Sequence, residues 1–202
     1  VYQGIVEQVE FPNKGFVQVE DRVAAVKGVV EGQKVAIRMK KVRKDKCQGM
    51  LLEVVEKSPL QDKTSECPHF GSCGGCFYQD MSYENQLSVK SKMVKDLLSP
   101  VMLNAEFEGI VGSPLVSGYR NKMEYSFGDE IKAGPLALGM HKKNSFHDIV
   151  IVNQCQLVHS DYNQILEATI FYFREKGNSF YKKLVHEGCL RHLVVRRASV
   201  DG

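Results

Sequence analysis

The sequence predicts a small closed all-β barrel at the N-terminal end followed by a mixed α+β domain, and three observations carry that prediction. Residues 1 to 58 break into five short apolar runs with no helical period. Turn signals separate the runs at intervals too short for helices. Beyond residue 80, helical periods alternate with strand-like runs. The 202 residues are 43% apolar and 25% charged, which excludes a disordered chain, a collagen-like repeat and a coiled coil. The expected domains are residues 1–58 and 59–202.

In the first domain the runs are Ile5 to Val9, Phe16 to Val19, Val23 to Val26, Val35 to Val42 and Met50 to Val55. The turns are Pro12-Asn13-Lys14-Gly15, Gly28, Glu31-Gly32 and Asp45 to Gly49. Five short strands in so few residues suggest a barrel of the oligonucleotide-binding (OB-like) kind. Strand alternation sends Val35, Ile37 and Met39 inward and Arg38 and Lys40 outward. The polar, proline-marked stretch from Ser58 to Glu66 reads as a linker. A helix is expected from Tyr83 to Ser99, capped by Ser82, stopped by Pro100 and apolar at Leu87, Val94, Leu97 and Leu98. Strands are expected at Tyr119 to Phe127, Leu136 to His141, Ile149 to Val152 and Leu190 to Val195. A second helix is expected from Asp161 to Lys176, apolar at Ile165, Leu166, Thr169, Tyr172 and Phe173, with Gly177 ending it.

The net charge of +3 is unevenly placed. Residues 1 to 60 hold 11 basic against 8 acidic residues, and the remainder is balanced. Lys34 to Lys46 alone carries seven basic residues against Asp45. A basic stripe on a neutral body is an electrostatic footprint for phosphate, and on a barrel strand it describes a surface for RNA. The bland alternative is a lysine-rich strand edge that resists aggregation.

Six cysteines lie at 47, 67, 73, 76, 155 and 189, and three of them form Cys67-Pro-His-Phe-Gly-Ser-Cys73-Gly-Gly-Cys76, a C-x5-C-x2-C spacing. No stretch is long and apolar enough for a membrane span and no secretory signal opens the chain, so a cytoplasmic protein is expected, with no membrane or protein partner. There, clustered cysteines indicate metal rather than disulfides. Three clustered ligands plus a distant one suit a 4Fe-4S cluster or a four-cysteine zinc site, and spacing does not separate them. Cys155, after the run Ile149 to Val152, is well placed as the fourth. Cys47 and Cys189 read as unligated thiols and His69 as a loop residue. A radical S-adenosylmethionine enzyme would need C-x3-C-x2-C, which the five-residue insert departs from.

A basic barrel, then Cys67 to Gln79, then Tyr119-Arg120-Asn121-Lys122, a lone Cys155, and Gly188-Cys189-Leu190-Arg191-His192, together resemble the uracil-C5 RNA methyltransferases. The resemblance is strongest to the ribosomal-RNA branch with an N-terminal TRAM domain and an iron-sulfur cluster. It implies a 4Fe-4S cluster on Cys67, Cys73, Cys76 and Cys155, and a parent enzyme that moves a methyl group from S-adenosylmethionine to C5 of a uridine in 23S rRNA. Such enzymes bind that cofactor in a C-terminal doubly wound domain with a nucleophilic cysteine and a glutamate base. This sequence has no Asp-Pro-Pro or Ser-Cys-Asn segment and no glycine-rich G-x-G-x-x-G loop. The chain is therefore expected to be the RNA-recognition and cluster portion, with the catalytic and cofactor residues outside it. Within that reading, Arg38, Lys40, Lys41, Arg43 and Lys44 contact RNA phosphates. Tyr119, Arg120, Asn121 and Lys122 line an RNA groove, where Tyr119 and Phe127 stack on or contact unpaired bases. The alternative is a stand-alone zinc-containing RNA-binding module.

Overall fold

The computed structural model describes residues 1–43 and 46–198, without the side chains of residues 41–46. It divides into two compact units, Val1–Thr64 with Asp80–Gly112, and Ser65–Gln79 with the residues from Ser113 onward. The division does not fall at residue 58.

The first unit holds strands β1 (Tyr2–Glu10), β2 (Lys14–Val19), β3 (Arg22–Lys27), β4 (Lys34–Arg43) and β5 (Lys46–Glu56). They close into a barrel in the order β1-β2-β3-β5-β4, as the five apolar runs require. All pairs are antiparallel except β3 with β5, which run parallel. Val6, Val17, Val26, Val35 and Ile37 are fully enclosed, and Arg38 and Lys40 face solvent as alternation demands. The expected turn from Asp45 to Gly49 is replaced by strand from Lys46 on, because Cys47 and Gly49 pair with both β3 and β4; Asp45 lies outside the described residues.

Ser58 to Asp62 is not a loose linker. Gln61 ties the segment to the barrel, accepting from Gln33 Nε2 at 2.7 Å and from the Ser58 N–H at 3.1 Å and donating to the buried Asp80 at 2.5 Å. Asp62 then accepts from the N–H of Ser82, the N-cap of helix α1 (Tyr83–Leu98), at 2.6 Å. Of the apolar side chains on α1, Met93 is buried, Leu87 and Val94 are half-buried, and Leu97 and Leu98 are exposed.

The second unit is an antiparallel sheet ordered β8-β7-β6-β9, formed by β6 (Lys122–Asp129), β7 (Leu136–His141), β8 (Ile149–Val150) and β9 (His192–Arg196). Helix α2 (Ser160–Glu175) buries Tyr162, Leu166 and Ile170. These are four residues apart and join Met123, Tyr125, Leu138 and Val195 in one core. The expected stripe through Ile165 and Tyr172 is rotated, leaving both exposed, while Phe173 sets its ring edge against Phe127. Gly177 stands just past the helix at φ +66°, the left-handed position that ends it. No helix among the described residues is long and apolar enough to cross a membrane.

Candidate metal centre and basic surface

The cysteine loop of residues 67–76 is a chain of tight turns. The carbonyl of Cys67 accepts from the Phe70 N–H at 3.1 Å, and that of His69 accepts from the Cys73 N–H at 2.8 Å. The turn through Gly74 is fastened to β7, the Gly74 N–H donating to His141 O at 2.9 Å. A side-chain Cβ at Gly74 would stand 2.9 Å from that same oxygen, so only glycine lets the two backbones approach this closely.

The distant cysteine is held from the other side. Asn163, on α2, accepts from the Cys155 N–H at 3.1 Å and donates to the Cys155 carbonyl at 3.3 Å. Gln156 donates to the Glu66 carbonyl at 3.2 Å, joining the segment of Cys155 to that of Cys67. Sequence reasoning passed over Asn163 and Gln156; an Asx side chain one turn inside a helix that follows a cysteine is the signal it left unused.

As a result Cys67, Cys73, Cys76 and Cys155 line one cleft of about 440 Å³, its open mouth included. Met123, Met140, Val152 and Leu157 form its apolar wall, and His69, Gln79 and Arg120 its polar rim. The sulfurs already receive N–H donors: Gly75 to Cys73 at 3.3 Å and Gln79 Nε2 to Cys76 at 3.4 Å. Burial pushes the thiols of Cys73, Cys76 and Cys155 up, Cys76 to about 11, and the neighbouring cysteines add to the rise. Arg120 pulls Cys76 and Cys155 back down. Thiols raised in this way stay protonated in the free cleft, and a metal that bound there would take them as thiolates with release of their protons. Among the described residues no group of three or more His, Cys, Asp or Glu side chains could hold a single metal ion, so the zinc alternative finds no support. Cys47 is buried inside the barrel, in β5 rather than in a turn, and Cys189 is exposed; neither lines the cleft.

The expected RNA-facing residues fall into three groups. Arg38 and Lys40 are exposed on β4, whereas the side chains of Lys41 and Arg43, and all of Lys44, lie outside the described residues. Tyr119, Asn121 and Lys122 are exposed, but the strand begins only at Lys122. Upstream, Gly118 takes φ +65° and the chain pairs with Gln156 and Leu157 instead, which carries Arg120 to the cysteine cleft, its Nη1 3.6 Å from Met123 Sδ. Met123 and Tyr125 are core and Phe127 packs against it, so base contact by Phe127 gives way to packing on Phe173.

No family model matches the chain. A protein of Caldanaerobacter subterraneus subsp. tengcongensis, named as an uncharacterized RNA methyltransferase, is 46% identical over 98% of this chain and 44% of its own length. One of Clostridium acetobutylicum with the same description is 44% identical over 98% of this chain and 43% of its own length. The crystal structure of the Pyrococcus abyssi tRNA (uracil-54, C5)-methyltransferase in complex with S-adenosyl-L-homocysteine superposes with a TM-score of 0.68 at 22% identity. That match covers 99% of this chain and 44% of that one, and at this identity the likeness shows the fold. The chain thus spans under half the length of the relatives it matches, and over that span it is homologous to proteins named RNA methyltransferases.

Proposed function

We propose that this chain is the RNA-recognition and iron-sulfur portion of an S-adenosylmethionine-dependent uracil-C5 RNA methyltransferase acting on 23S rRNA. The observation that carries the reading is the convergence of Cys67, Cys73, Cys76 and Cys155 on one cleft; the same chain also carries a barrel with an outward basic strand. The donor set fits a 4Fe-4S cluster, which Cys67, Cys73, Cys76 and Cys155 would hold through their four thiolates. When bound, the cluster supplies charge balance and a cross-link rather than a redox step, since methyl transfer needs none. The residues around it fix the segment of Cys155 to the loop of Cys67 and so hold Tyr119, Asn121 and Lys122 in place.

Arg38 and Lys40 contact phosphates on the barrel, with Lys41, Arg43 and Lys44 continuing the stripe along the sequence. This barrel is the TRAM domain of the proposed family. Tyr119 stacks on an unpaired base, and Asn121 and Lys122 hold the strand beside it. Arg120 offsets the negative charge of the cysteine site. Addition of a thiolate to uracil C6, transfer of the methyl group from S-adenosylmethionine to C5 and removal of the C5 proton require a nucleophile and a base. Those roles belong to the part of the parent protein outside these 202 residues, and the parent works in the cytoplasm. Nucleoside analysis of 23S rRNA and tRNA from cells lacking the parent gene tests the reading. Loss of 5-methyluridine from 23S rRNA alone supports it, and loss from tRNA alone contradicts the ribosomal assignment.

A further inference from the structure

We propose that His69 is a positioning residue of the cysteine site, its Nε2–H donating a hydrogen bond to a sulfur of the cluster that the four cysteines hold. The proposal rests on the cluster reading above. The Nε2 atom is buried and has no hydrogen-bond partner, although His69 lines the same cleft as Cys67, Cys73, Cys76 and Cys155. The main chain of His69 is fixed: its carbonyl accepts from the Ser72 N–H at 3.2 Å, the Cys73 N–H at 2.8 Å and the Ser72 hydroxyl at 3.0 Å. The ring therefore sits on an anchored turn. Three other N–H donors of the cleft already face sulfur: Gly75 on Cys73 at 3.3 Å, Gln79 on Cys76 at 3.4 Å and Arg120 on Met123 at 3.6 Å. His69 stands out among them as a buried nitrogen whose acceptor the protein itself does not supply. A buried donor left unmade carries its full desolvation cost, so this nitrogen is matched to a group that arrives with the cluster. Sulfide and thiolate sulfurs are acceptors that an N–H reaches without entering the coordination shell, and four cysteines already satisfy a cubane. Hydrogen bonds to such sulfurs stabilise the more electron-rich state and raise the reduction potential.

The test uses the full chain reconstituted without oxygen with iron and sulfide, as wild type, H69L and H69Q, with ¹⁵N-labelled histidine in the wild type. In the dithionite-reduced wild type, pulsed EPR is expected to show weak coupling to one histidine nitrogen. H69L is expected to keep its iron and sulfide but titrate at a more negative midpoint potential, with H69Q, which retains an N–H, lying nearer the wild type. Absence of the histidine coupling, or midpoints identical in all three proteins, overturns the proposal. Strong direct coupling with iron lost in H69L also overturns it, by making His69 a ligand. Should H69L fail to load, the wild-type coupling and the H69Q midpoint decide. A wild type that takes up no iron or sulfide refutes the cluster reading itself, whereas a loaded wild type without the coupling refutes only the role of His69.

Discussion

The Gly74 N–H donates to the carbonyl of His141 at 2.9 Å, so the turn between Cys73 and Cys76 is fastened to the end of β7. The Cβ of an alanine here would meet that same oxygen at 2.9 Å, and backbone cannot swing aside as a side chain does. Gly74→Ala is expected to destabilise the second unit by about 1–3 kcal/mol and to reduce cluster uptake. At Gly75 a Cβ meets Cys73 Sγ at 3.4 Å, ordinary contact, so Gly75→Ala is expected to cost less. Thermal unfolding and iron content of the two variants check the ranking.

Serine substitutions separate the ligands from the bystanders. Cys67→Ser, Cys73→Ser, Cys76→Ser and Cys155→Ser are each expected to remove most of the visible absorption of the reconstituted protein, and Cys189→Ser, on the surface, to leave it intact. Cys47→Ser places a hydroxyl in the apolar interior of the barrel, where Cys47 is 4% exposed. It is expected to cost about 1–3 kcal/mol without changing the spectrum. Loss of colour in Cys47→Ser would contradict the ligand assignment.

If the exposed cations of β4 contact RNA as proposed, they act through charge rather than shape. Arg38→Ala and Lys40→Ala are each expected to weaken binding to a single-stranded RNA and to lower the slope of log affinity against log salt by about 1. Fluorescence anisotropy at several salt concentrations measures both. An unchanged slope would return the stripe to the role of a solvated edge.

Asp62 gives the first unit an acid limit. Its carboxylate accepts from the Ser82 N–H at the start of α1, and that bond holds its pKa below the ordinary 3.8. A depressed pKa contributes stability that is present above the unfolded value and is lost as pH falls through the folded one. The difference in stability between the parent chain and Asp62→Asn is therefore expected to shrink as pH falls below about 4, in denaturant titrations across that range. A difference constant with pH would remove Asp62 from that role.

The barrel was legible because Ile37 and Met39 alternate with Arg38 and Lys40 at the strand period and five short apolar runs are separated by turn signals. The helix stripe of α2 was misread because Tyr162 stands in a polar N-terminal turn, while Ile165 and Tyr172 look apolar and face solvent. Cys67, Cys73 and Cys76 are legible as a group because they lie within ten residues, whereas spacing leaves their fourth partner open and Cys155 is only what the family resemblance implies. What the sequence did not disclose was tertiary. The pairing of Arg120 with the Cys155 segment depends on contacts across more than thirty residues, and no local pattern marks the orphan nitrogen of His69.

The most direct measurement is iron, acid-labile sulfide and zinc content of the chain purified and reconstituted without oxygen, read with its visible spectrum. About four irons and four sulfides per chain, with broad absorption near 400 nm, is the predicted result. A colourless protein, or one zinc per chain with no sulfide, would contradict it.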